Sequence, residues 1–388
     1  MKLDSDGSCF SESYPYIDGV MMIHGHCHLQ DSNDKKQIMC QRCGKHSRED
    51  VKVIEMEEEK FREFLEKYEK EESAIEASID LIREFNRFLE KKGRAVDAAS
   101  PEDFYEYSSY LINHKKNSLK AYITLLRYGL FAKNNGLYVA AMEVLDGSEV
   151  LENLSKRLVE EFGEDFKNEI FEEENLPPLG LHPNKKPEYT RKLIPKLEKA
   201  LGVNRCARFL NQGLRDRYEE WRKPDREKFL QSKNIDEFLK NKRLTYIEEL
   251  EKHFEEGSLY FTQEITGEVL EFVKNDPCIE VGVRAGDRII VRKIPHMAKE
   301  YLREPDEKKK HYYFCHCPWV KEALWESEQP IPSVFCNCSA GYYKAYWEIV
   351  LDQPVEVDVL KSILNGDSLC EFAVHLPRDV VETVEKST

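Results

Sequence analysis

Eleven cysteines are too many to be casual packing residues in this chain, and seven of them fall into two groups with ligand-like spacing. The first group is His24-Gly25-His26-Cys27 and, after twelve intervening residues, Cys40-Gln41-Arg42-Cys43-Gly44. Each half sets two ligands either side of two residues, the step at which a short knuckle turns both toward one ion, and Gly44 lets backbone amides bend toward the thiolates. His24, Cys27, Cys40 and Cys43 would close a tetrahedron around zinc, with His26 or His28 competing for the first position. Four protein ligands leave no open coordination site, so the expected role is structural.

The second group is Cys315-His316-Cys317-Pro318-Trp319 and, with eighteen residues between Cys317 and Cys336, Cys336-Asn337-Cys338-Ser339-Ala340-Gly341. Alternate residues share a face of a strand, so the spacing predicts Cys315 and Cys317 meeting Cys336 and Cys338 across neighbouring strands. Four such thiolates suit zinc or an iron–sulfur cluster. Two could instead bind an ion while a third attacks, with Cys317 or Cys336 as nucleophile and His316 activating it. The plain alternative is buried free cysteine, which packs as a small hydrophobe. Cys206 and Cys278 stand alone and are expected in the core.

The elements that must carry these side chains span 388 residues, enough for two or three domains. The expected class is α+β and multidomain: a zinc-binding module over residues 1–50, an all-helical domain over 51–175, and a segment over 188–388 in which helices lead into a cysteine-rich α/β domain. Apolar residues at offsets of three, four and seven place Phe61, Phe64, Leu65 and Tyr68 on one helix and Ile75, Ile79, Ile82, Phe85 and Leu89 on a second, ending at Gly93. Ser100-Pro101-Glu102-Asp103 starts a third, Asn117-Ser118 a fourth that ends at Asn134-Asn135-Gly136, and an acidic helix follows near 148–174. The proline-rich stretch 176–183 reads as the linker between domains. Beyond Gly257, runs at 278–284 and 287–292 predict a hairpin, and Asn365-Gly366-Asp367 turns a second between 355–364 and 368–376, with a helix over 342–351 between them.

No apolar run is long enough to span a bilayer, and Met1-Lys2-Leu3-Asp4 opens neither a secretory nor a transit peptide, so the expected compartment is the cytoplasm, with no membrane partner. The net charge of -15 opposes general attraction to nucleic acid, yet residues 185–243 hold 18 basic and 9 acidic side chains. Nucleic acid therefore stands as a second partner class behind a small-molecule ligand or substrate.

Three resemblances add to this reading. Residues 20–48 resemble a zinc ribbon, with His24 in place of the usual first cysteine. The stretch from His311 to Pro377 resembles the aminothiazoline carboxylate hydrolase family and the related vinyl-reductase-type small-molecule-binding domains, chiefly through Gly366-Asp367-Ser368-Leu369-Cys370-Glu371-Phe372. The vinyl-reductase group usually has a cysteine eight positions before Cys370; here Ser362 stands there, as in the hydrolase group. That resemblance implies a compact α/β domain around a ligand cavity and hydrolysis of a small cyclic C–N or C=N compound, and Trp319, Trp325, Tyr342, Tyr343, Tyr346 and Trp347 are candidates to line the cavity. Residues 73–147 resemble the core-binding domain of tyrosine recombinases, which implies that Lys115, Lys116, Lys120, Arg127 and the basic segment from Lys185 could meet phosphates. His182, His253 and His296 are followed at offset three by Lys, Glu and Lys, so the recombinase catalytic His-x-x-Arg element is missing. The alternative function is accordingly a ligand-sensing, nucleic-acid-associated regulator.

Overall fold

A computed structural model describes residues 48–172, 176–216, 219–325 and 330–385. The zinc ligands expected at His24, Cys27, Cys40 and Cys43 lie outside the described residues. The chain is mixed α+β, mostly helical, with its larger sheet near the C-terminus, and it divides into two compact units. Among the described residues no helix is long and apolar enough to cross a membrane.

The first unit runs up to Tyr107 and includes Leu119–Tyr138. It contains α1 (Arg48–Leu65), α2 (Glu72–Glu90), the start of α3 (Pro101–Asn113), α4 (Leu119–Phe131) and the start of α5 (Asn135–Leu145). The apolar stripes read from the sequence are its core: Phe61, Leu65, Ile75, Ile79, Phe85 and Leu89 are all buried. Ser100 and Asp103 form a reciprocal cap on α3, the Ser100 hydroxyl accepting the Asp103 N–H at 3.2 Å and the Asp103 carboxylate accepting the Ser100 N–H at 3.1 Å. The Asn134-Asn135-Gly136 stop is also a start. Asn134 Oδ1 accepts the Leu137 N–H at 3.0 Å and so begins α5. Gly129 lets this corner close, because a Cβ there would stand 2.8 Å from the Tyr138 backbone nitrogen.

The second unit comprises Ser108–Ser118 and Val139–Thr388. The stretch 176–183 lies inside this unit rather than between domains. Its carbonyls are used there: Gly180 accepts the Ser108 hydroxyl at 2.6 Å and Leu179 accepts Asn117 Nδ2 at 2.9 Å. Gly163, at φ 87°, breaks the expected acidic helix into α6 (Val150–Phe162) and α7 (Glu164–Phe171). Four helices follow: α8 (Lys186–Leu201), α9 (Val203–Leu210), α10 (Glu219–Gln231) and α11 (Ile235–Glu256). The buried Lys186 ammonium donates to the carbonyls of Glu143 at 2.7 Å and of Val144 and Asp146 at 3.4 Å, closing the end of α5, and lies 5.5 Å from the centre of the Trp319 ring.

Next come the small hairpin β1 (Leu259–Tyr260) and β2 (Gln263–Glu264), then α12 (Gly267–Asn275), β3 (Val283–Ala285) and β4 (Arg288–Arg292). The chain continues through α13 (Ala298–Arg303), α14 (Glu307–Phe314), α15 (Asn337–Leu351), β5 (Val357–Lys361), β6 (Glu371–His375) and α16 (Arg378–Glu385). Strands β3-β4-β6-β5 form one antiparallel sheet, so both expected hairpins exist and share it. The first is shorter than its apolar run. Glu280 and Gly282 take positive φ, so residues 278–282 pair with the sheet through an isolated bridge from Ile279 to Arg292 instead of a ladder. Two clusters fill this unit. Phe238, Val291, Trp347, Phe372 and Val374 belong to one; Leu154, Phe209, Phe314, Trp319, Phe335 and Cys338 belong to the other.

Candidate functional site

None of the four cysteines of the second group lies on a strand. Cys315 caps the C-terminus of α14, Cys317 follows in an irregular turn, Cys336 ends a 3-10 turn over Ser333–Cys336, and Cys338 sits in the first turn of α15. The one-residue spacing mimics strand alternation, but Pro318 and the flanking helices decide otherwise. The segments nevertheless meet, and Cys370, at the entry of β6, joins them. Ionising one thiol would raise others: Cys317, Cys336 and Cys370 all act on Cys315, and Cys338 acts on Cys317. All five are free thiols. Cys315 and Cys338 are buried, while Cys317, Cys336, Cys370 and His316 are half-buried, so the last four are the accessible side of the cluster, here the candidate recess.

Nearby N–H and O–H groups favour each thiolate: the backbone N–H groups of Cys317, Trp319 and Ile363 lower Cys315, Cys317 and Cys370, the Ser362 hydroxyl lowers Cys336 and the Arg215 guanidinium lowers Cys338. The Gly366-Asp367 turn has a structural task here, for the Asp367 carboxylate accepts the Ser362 N–H at 2.9 Å and holds that hydroxyl in place.

Lys293 stands at the electrostatic centre. Its charge lowers Cys317, Cys336, Cys338 and Cys370 and also opposes protonation of His296 and His316. Its ammonium lies 3.4 Å from Ser339 Oγ, and among the described residues no carboxylate reaches it at ion-pair distance. Lys321, only 6% exposed, adds a second cation, 3.6 Å from Met297 Sδ and 4.8 Å from the Tyr312 ring centre. Arg215 is offset by Asp146 at 3.1 Å and Glu149 at 3.6 Å, and burial pushes Glu149 up to about 6. Lys293 and Lys321 thus put two cations beside the thiols.

Burial nevertheless dominates the thiols, pushing Cys317 and Cys336 up to about 12, while burial together with Lys293 and Lys321 pushes His316 down to about 3. His316 Nε2–H donates to the Ile294 carbonyl, which leaves the lone pair on Nδ1, and its ring meets His296 edge-on at 5.1 Å. With both thiols pushed up and this imidazole pushed down, moving a proton from either thiol to the ring is strongly uphill. The expected cysteine–histidine pair is thus not poised for nucleophilic attack.

Sulfur donors with N–H partners have the chemistry of a zinc or iron–sulfur site. Their spacing does not: among the described residues no three His, Cys, Asp or Glu side chains stand where they could hold one ion.

Of the other expected site residues, Cys206 is core and Cys278 is half-buried, apart from the recess. Trp319 and Trp347 are core, and Trp325 is exposed. Arg127 and Lys186 are not available to phosphates, since Arg127 is buried against Glu69 at 2.5 Å and Lys186 holds backbone carbonyls. Lys293, Lys321, Arg215 and Glu149 carry no motif, and only their place in the fold reveals them.

All five thiols lie between residues 298 and 381. Residues 298–381 match the model of a family of unknown function (DUF6144). No curated protein and no solved structure matches the chain.

Proposed function

We propose that the second unit is a small-molecule-binding domain whose ligand lodges in the thiol-lined recess beside Lys293. The observation that carries this is the meeting of three separate segments, around residues 315–317, 336–338 and 362–370, about one half-buried ammonium with no carboxylate partner among the described residues. Sulfur, imidazole and methylene surfaces favour an apolar or soft ligand body, and the ammonium favours a negative or strongly polarised group on it. The resemblance to the aminothiazoline carboxylate hydrolase family supports the same placement and adds a reaction class, hydrolysis of a small cyclic C–N or C=N compound. In that reaction Lys293 would hold charge developing on the substrate, while Cys317 or Cys336 would attack only once substrate binding had lowered its thiol. Binding is the part this geometry supports best.

The test is a thermal-shift and calorimetric screen of the full chain against thiazoline carboxylates and other small cyclic C=N carboxylates, repeated on Lys293→Met and Cys336→Ser. Binding that Lys293→Met weakens about tenfold or more supports the proposal. Turnover lost in Cys336→Ser with binding kept would add the hydrolytic step. Equal affinity in Lys293→Met and the parent protein would refute the placement.

A further inference from the structure

The first unit holds a groove of about 1250 Å³. One wall is α1, through Glu58 and Phe61; the other is α2, through Ile79, Ile82 and Arg83; Tyr128 and Phe131 of α4 line it between them. The lining is largely aromatic, with the Phe61 ring 5.2 Å from Tyr128 and 5.1 Å from Phe131. On the rim, Arg83 donates to the two Glu58 oxygens at 3.0 and 2.8 Å and to Asp80 at 2.9 Å, so a forked ion pair ties one wall to the other.

This volume exceeds the roughly 300–1000 Å³ of small-molecule pockets and suits a stretch of polypeptide, and an apolar groove of that size marks an interaction site. A fitting occupant is attached to the wall itself. Glu57 borders the groove, and the nine helical residues 48–56 precede it, so the chain before Arg48 joins α1 about 13 Å away. Within residues 1–47, the stretch Tyr14-Pro15-Tyr16-Ile17-Asp18-Gly19-Val20-Met21-Met22-Ile23 carries a single charge, and its two methionines are of the type that adapts to irregular apolar surface. Asp18 would not enter unmatched, since Arg87 and Lys133 border the groove and pair with no carboxylate among the described residues. Residues 24–47, taken as a coil, would span roughly 25–30 Å, enough to return the stretch to the groove. A tether of that length gives an effective concentration of roughly millimolar, which favours this occupant over a second copy of the chain.

We infer that residues 14–23 fold back and dock in the groove between α1 and α2, covering Phe61, Tyr128 and Phe131. This intramolecular contact does not depend on the thiol recess being a ligand site.

The test uses the full chain. Benzoylphenylalanine in place of Phe131, irradiated in a protein that melts like the parent, should cross-link within one chain to residues 14–23, read by mass spectrometry. The double variant Met21→Glu, Met22→Glu should lose that cross-link. A second readout leaves the groove unaltered: an anilinonaphthalene dye should bind the double variant at least about fivefold more tightly than the parent protein, because a groove closed about four-fifths of the time weakens a competing probe by that factor. A synthetic peptide of residues 12–25 should displace the dye from the double variant. Cross-links to a second copy, to other residues or to nothing would overturn the docking. So would equal dye affinity in the two proteins, or a peptide that leaves the dye in place.

Discussion

Glu280 and His316 are joined through a single residue: Ile294 donates its N–H to Glu280 Oε1 at 2.9 Å, and its carbonyl accepts the His316 Nε2–H. One peptide segment thus orients a carboxyl on one side and an imidazole on the other. The carbonyl acceptor selects the tautomer, so His316 is held neutral with its lone pair on Nδ1.

That arrangement makes stability depend on acid. Burial holds His316 down at about 3 and His296 well below the usual imidazole value. In the unfolded chain both protonate near 6.5, so over the interval from about 6.5 down to 3 the unfolded state binds more protons and stability falls as pH falls. Glu149, raised to about 6, works the other way between about 4.5 and 6, because its neutral form suits the fold. Glu280, also raised by burial, acts in the same direction as Glu149, while His182, lowered by burial, adds to the other two histidines, whose larger shifts set the sign. Denaturant melts at pH 7 and pH 4.5 should show a loss of a few kcal/mol that shrinks in a His316→Gln variant; an unchanged loss in that variant would mean His316 is solvated.

Native Cys317 and Cys336 should react slowly with iodoacetamide. A thiol near 12 holds about a thousandfold less thiolate at pH 8 than a free cysteine. Mass spectrometry after timed alkylation should find both lagging far behind the same peptides in the denatured chain, and further behind in Lys293→Met, which removes the cation that favours the thiolates. Rapid labelling of either residue in the native protein would contradict the burial argument.

Ser362→Ala should cost about 1–2 kcal/mol, since the hydroxyl both favours the Cys336 thiolate and accepts the Asn365 N–H at 3.2 Å. It should also slow Cys336 alkylation specifically. A variant that melts like the parent protein, with unaltered Cys336 labelling, would remove Ser362 from the account of the recess.

Metal content separates the two cysteine groups. The ribbon-like ligands His24, Cys27, Cys40 and Cys43 are expected to hold one zinc per chain, lost in Cys40→Ser, while the recess in its described geometry adds none. Elemental analysis giving two zincs, or iron, would show that the recess closes on a metal. Zero would set aside the ribbon.

In the first unit, Gly129→Ala should destabilise by about 1–3 kcal/mol, because the new methyl meets the Tyr138 backbone, which cannot rotate away as a side chain would. A denaturant midpoint within error of the parent protein would show that α4 and α5 can part more easily than their packing suggests.

Helix stripes and hairpin turns were legible in the sequence because each is a local code. The period of Ile75, Ile79, Ile82, Phe85 and Leu89 marks a buried face, and Gly366, at φ 87°, marks the turn where a side chain is unwelcome. The cysteine segments were misread as strands because alternation at two residues is too short a signal to tell a strand from a helix cap. The cation beside them was not legible. Lys293 is one lysine among many in the sequence, and only the pairing of β4 with β6, which brings the Lys293 N–H to the Cys370 carbonyl at 3.1 Å, sets it among the thiols. The division into units escaped the proline signal at 176–183 because those carbonyls are consumed by Ser108 and Asn117, far away in sequence.

Lys186 has a further implication for how this protein can be modified and engineered. Three carbonyls grip one ammonium against an indole, inside protein and away from salt. Acetylation would replace that donor set with a bulkier neutral amide, and arginine would ask a planar fork to fit a site shaped for a compact head. Position 186 is consequently the wrong place to reduce surface charge or attach a label, however ordinary it looks within a basic run.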